Sequence, residues 1–222
     1  MTTPDDRLDE TMRKLGQGSG DLGSLADAAR RELAQAPKSR PWWKDALGLL
    51  AVNAVMAVGA AAAMTWSSTQ HASVMMRSLV AAAWLVVLAL GSLLWLKPGR
   101  SGPRWLVGGL FLVVSVLAVF GASGWDPGQP FFAGINCAFV ECGVALLPLG
   151  VVLALSTRFA ASAGHVFLGG LTAASAGAFA LHLHCSNGTL EHLLVFHLSP
   201  AVLLGFVAVG VHRLMRPRSF VP

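Results

Sequence analysis

An all-α membrane bundle, with six spanning helices and a short cytoplasmic amino-terminal segment, is the fold class this sequence predicts. Three observations predict it. Apolar residues make up 55% of the 222-residue chain and charged residues only 12%, about half the charged share of a soluble domain. Six apolar runs, at 46–66, 75–96, 105–123, 131–155, 164–184 and 192–212, lie close to the roughly 20 residues that a helix needs to cross the hydrocarbon of a bilayer. When these runs are threaded alternately through a membrane, 15 of the 16 Lys and Arg residues fall on one side, and only Arg77 lies near the other.

The polar head, residues 1–45, comes first. It holds eight basic and eight acidic side chains, so it is neutral rather than a polybasic lipid-binding arm. Leu8, Met12 and Leu15 fall at helical spacing; after the break at Gly16 to Gly20, Leu22, Leu25, Ala29 and Leu33 continue it. Asp21 or Ser24 is placed to cap the second stretch and Pro37 to stop it. Helices this short are marginal alone in water, and their apolar stripes call for a surface. That surface is either the membrane or the groove of a soluble partner. A segment of this size is too small to enclose an active site of its own.

No cleavable signal precedes the first run, so that span is expected to act as an uncleaved anchor. Breakers separate the spans: Ser67 to His71, Lys97-Pro98-Gly99-Arg100, Asp126-Pro127-Gly128, Ser156-Thr157-Arg158 and Ser186-Asn187-Gly188. The cations sit in the head, in the loops at Lys97 to Arg104 and at Arg158, and in the tail 213–222. Cations stay on the side of synthesis, which predicts an inner-membrane protein with both termini in the cytoplasm. Trp42, Trp43, Trp66, Trp95, Trp105 and Trp125 cluster at the predicted interfaces. The net charge of +5 does not imply direct contact with nucleic acid, because the cations lie at helix ends and form no patch. Lipid is the expected environment of residues 46–212. Small residues at Gly59 to Ala63, Gly108-Gly109 and Gly164 to Gly177 suit close helix packing in lipid.

The residues able to do chemistry gather near one end of spans 4 to 6. Span 4 carries Cys137, Glu141 and Cys142, span 5 ends with His182 and Cys185, and span 6 opens with His192 and His197. Glu141 is expected near mid-bilayer, where a carboxyl must face the interior and find a partner or carry a proton. Cys137 and Glu141 share a helix face, as do His182 and Cys185. Four readings are open: plain interhelical hydrogen bonding, a redox pair joining Cys185 to Cys137 or Cys142, a metal or haem site, and catalysis. The three cysteines contain no CxxC pair, and neither CxxCH nor HxxxH spacing is present, so no metal ligand set and no cofactor are assigned, although a porphyrin or haem is compatible with the histidines. No nucleophile, base and orienting group can be placed together, so no enzymatic activity is expected.

The string from Cys185 through Glu191-His192 and His197 to Pro200, behind a Gly/Ala-rich fifth span and ahead of Arg213-Leu214-Met215-Arg216, resembles the six-span bacterial anti-sigma factors of the NrsF type, and in length and plan their myxobacterial, light-responsive branch. The resemblance implies a negative regulator of transcription. Its head holds an extracytoplasmic-function sigma factor, CarQ-like in the light-responsive case, at the inner membrane. It releases that factor on light or singlet-oxygen stress and so controls carotenoid biosynthesis. The family's stress-sensing cysteines match Cys137 and Cys185; Cys142 is an extra thiol. Oxidation near the outer ends of spans 4 to 6 is then expected to change their packing, which frees the head or exposes the protein to proteolysis. The rival expectation is a b-type haem or quinone-linked membrane redox protein.

Overall fold

The computed structural model describes residues 41–64, 73–97, 102–121, 131–158 and 161–215. The head residues Leu8, Met12, Leu15, Leu22, Leu25 and Leu33, the interfacial Trp66 and Trp125, and the end of the tail lie outside the described residues. The described chain is helical throughout, with no strand. Its elements are α1 (Trp42–Ala63), α2 (Val74–Leu96), α3 (Gly102–Gly121), a 3-10 turn (Phe131–Gly134), α4 (Ile135–Ser156), α5 (Ala163–His184) and α6 (Leu190–Met215). Five of these helices are long and apolar enough to cross a membrane, and α3 contributes a shorter apolar stretch, Trp105–Gly121. This is the pattern of a multi-pass membrane protein.

Local chemistry sets the helix starts. Ser73 accepts a hydrogen bond from the amide of Met76 at 3.2 Å, Ser162 from His165 at 3.2 Å, and Thr189 from His192 at 3.3 Å. Each hydroxyl satisfies one of the amides that a first helical turn leaves unpaired. At the other end of α5, the Cys185 amide donates to the carbonyl of Leu181 at 2.7 Å, and the chain then turns extended.

Helix α5 is the axis of the bundle and packs against each of the other five helices. Every residue from Leu168 to Leu181 is buried, as expected of a helix apolar on all faces. Its small residues allow the close approach. A Cβ on Gly170 would lie 2.7 Å from the Gly205 Cα on α6, and one on Gly177 would lie 2.7 Å from the Glu141 carbonyl oxygen on α4. On the α2 side, a Cβ on Gly169 would meet the Trp95 ring at 2.7 Å, and one on Gly91 would meet Thr172 at 2.6 Å. Backbones this close gain dispersion contacts that side chains of ordinary size would prevent.

Polar pairs sort the helix ends. The Trp95 indole donates to the His165 carbonyl at 2.7 Å, and the His165 ring returns a contact to the Trp95 carbonyl. Ser156 meets His212 Nδ1 at 2.9 Å, and Arg158 reaches Asp45 at 4.0 Å. These contacts join the end of α2 to the start of α5, the end of α4 to the end of α6, and the end of α4 to the start of α1. Packing of Met76 against Gly121 joins the start of α2 to the end of α3, so neighbouring helices in sequence run antiparallel.

Candidate functional site

The start of α4, the end of α5 and the start of α6 meet at one end of the bundle, and four side chains converge there. Cys137 Sγ lies 3.9 Å from Cys185 Sγ; Cys185 Sγ lies 3.2 Å from His192 Nε2; His192 Nε2 lies 3.3 Å from His197 Nε2. All four atoms fall within 4.8 Å of one another. The three cysteines are free thiols. His192 is buried and the other three residues are half-buried. Of the two pairings open for Cys185, the structure sets its thiol against Cys137.

Each of the four is held from its own element. Cys137 stands in the first turn of α4, after the tight turn at Gly134. Cys185 caps α5, with its thiol also directed at the Asn187 carbonyl, 3.5 Å away. The connection to α6 is short: Asn187 Oδ1 accepts from the Thr189 amide at 3.0 Å, and Thr189 then caps the turn carrying His192. The two histidines meet because α6 changes register. Residues Leu194–Leu198 form a π-helical turn, in which the Ser199 amide donates to Leu194, five residues back. An α-helix advances about 100° per residue, so fifth neighbours diverge by about 140°. A π turn brings them together instead. Pro200 follows it and supplies no amide of its own.

The Phe196 ring seats this turn. It packs where a Cβ on Gly134 would stand, at 2.2 Å, and its centroid lies 5.3 Å from that of His192. Glu141, one turn along α4 from Cys137, is fully buried under Gly177, and neither carboxyl oxygen has a hydrogen-bond partner among the described residues. His182 lies beside the four without joining them and lines an apolar pocket with Trp84, Phe111 and His197. Cys142 faces elsewhere, into a shallow groove with Phe139, Val195 and Leu203.

Of the seven residues singled out near these span ends, then, four form one cluster, Glu141 and His182 flank it, and Cys142 lies off it. Sequence reasoning missed Gly134, Phe196 and Thr189, which position the cluster, and named Gly177 only as a small packing residue without the Glu141 that it faces. The available signal was the spacing of His192 and His197 with Pro200 three residues on, a spacing that only a π turn makes into one face.

The fold and this cluster define a class: a helical multi-pass membrane protein with thiols and imidazoles gathered at one end of its bundle. Over 206 residues, 90% of its own length and 90% of the other's, the chain is 31% identical to the carotenogenesis protein CarR of Myxococcus xanthus. It belongs to the CarR family. No family model matches the chain, and no solved structure does.

Proposed function

We propose that this chain is a non-catalytic negative regulator of carotenoid genes, a six-span anti-sigma factor of the inner membrane. The observation that carries this reading is the match to a carotenogenesis protein along nearly the whole chain. In this reading residues 1–45 lie in the cytoplasm and hold an extracytoplasmic-function sigma factor, CarQ-like in kind, on the stripe of Leu8, Met12, Leu15, Leu22, Leu25 and Leu33. Residues 46–212 anchor that head. The cluster of Cys137, Cys185, His192 and His197 lies toward the outer face and responds to light through singlet oxygen, because thiols and imidazoles are readily oxidised. The antiparallel run of α2 and α3 supports counting α3 as a sixth span, and an even number of spans keeps both termini on one side.

A b-type haem or quinone-linked redox role has less support. The match along nearly the whole chain is to a carotenogenesis protein, which lends that role nothing. The test is co-purification. The tagged full chain, extracted in mild detergent, should bring down a sigma factor at near-equal stoichiometry, and the chain lacking residues 1–40 should bring down none. Equal recovery with and without those residues would remove the head from the mechanism.

A further inference from the structure

We infer that Cys137, Cys185, His192 and His197 bind one zinc ion that clamps α4, the end of α5 and α6 together. This site stands on the geometry of the four side chains and does not depend on the sigma-factor reading.

The sulfur–sulfur and nitrogen–nitrogen distances match a tetrahedral shell, and the mixed pairs lie close enough to close around one ion. Zinc bonds to sulfur at about 2.3 Å and to imidazole nitrogen at about 2.0–2.1 Å; around a tetrahedron these place sulfurs about 3.8 Å apart, nitrogens about 3.3 Å apart and mixed pairs about 3.6 Å apart. The structure has 3.9 Å between the two sulfurs, 3.3 Å between the two nitrogens and 3.2 Å between Cys185 and His192. The remaining pairs fall inside 4.8 Å. Two sulfurs and two imidazoles in this arrangement are a donor set for zinc, where hard cations prefer oxygen and copper(II) prefers a square.

Electrostatics favour the same ion. Two Nε2 atoms 3.3 Å apart both carry lone pairs unless one holds a proton, whereas a shared cation satisfies both. On binding, the two thiols lose one proton each, so zinc, two thiolates and two neutral imidazoles make a complex of zero net charge. A neutral complex avoids the cost of an isolated ion near the hydrocarbon. Four protein donors leave no open position for a substrate or a water, which makes the site structural rather than catalytic. The π turn of α6 then has a definite role, since it brings both histidines to one face, as such turns often do at functional sites.

The full chain, purified in detergent from cells grown with zinc, should contain one zinc per chain by elemental analysis. Cobalt(II) taken up after chelation should give the intense visible bands of a tetrahedral site with thiolate charge transfer in the near ultraviolet. Cys137→Ser and His197→Gln should weaken zinc retention on the order of 100-fold or more, since even outer-shell changes cost about 10- to 100-fold. Cys142→Ser and His182→Gln should retain the metal. A second measurement needs no variant: in the native chain zinc should shield Cys137 and Cys185 from alkylation while Cys142 reacts, and a chelator should expose both. Absence of zinc, copper in its place, an octahedral cobalt spectrum, or alkylation of all three cysteines at equal rates with metal present would each overturn the assignment.

Discussion

Glu141 and Gly177 bring α4 and α5 together backbone against backbone. Glu141 is an acidic side chain at an expected depth that demands an interior position, and the structure buries it completely. Its placement was legible because burial of a charge-bearing group in lipid has so few solutions. The glycine opposite was not, because sequence shows a small residue without showing what it faces. A methyl on Gly177 would stand 2.7 Å from the Glu141 carbonyl oxygen and 2.8 Å from its Cα, both backbone atoms that cannot rotate away. Gly177→Ala should therefore cost about 1–3 kcal/mol, the range for overpacking a well-filled interior. Gly143→Ala, with nothing within 4 Å of the added carbon, should cost little. Thermal unfolding of the two variants in one detergent checks this, and equal midpoints would show that the α4–α5 contact yields more readily than its backbone geometry implies.

Among the elements, existence and order were legible and register was not. Long apolar runs announce spans, so each predicted run coincides with a described helix to within a few residues; α1 begins at Trp42, directly after Pro41, rather than at 46, and α6 extends over Leu190–Met215. Hydropathy averages over a whole turn, however, and cannot register one extra residue within it. The π turn at Leu194–Leu198 is such a residue, which is why His192 and His197 suggested no ligand pair by spacing. Gly134 tests the mechanical link between this turn and α4. A methyl there would meet the Phe196 ring at 2.2–2.6 Å, so Gly134→Ala should push the ring aside and move His197 with it. The expected outcome is faster metal loss to a chelator than in the native chain, while thiol content stays the same. Unchanged release would mean that Phe196 does not seat the turn.

At the scale of the whole bundle, the contacts divide the helix ends into two sets, and the cations among the described residues follow the division. Lys44, Lys97, Arg158 and Arg213 stand at the end where Arg158 meets Asp45 and Ser156 meets His212; Arg77 stands at the other, with the thiol–imidazole cluster. The Arg158–Asp45 pair has its arginine 62% exposed and adds little stability, but it marks which ends are neighbours. In the proposed topology, cations retained on the side of synthesis would place the cluster outward, in the compartment where thiols are readily oxidised. Alkaline phosphatase, which folds only after its own disulfides form, discriminates the two sides. Fused after Asn187 it should be active, and fused after Thr157 inactive, with a cytoplasmic reporter giving the opposite pattern at both points. The reverse result would set Cys137 and Cys185 in a reducing cytoplasm and the amino terminus outside, where no sigma factor could reach it. The same reversal would leave the zinc geometry untouched, so topology and metal binding can fail separately. A bundle that passes both tests is a membrane anchor whose three metal-linked helices meet on the outer side of the bilayer.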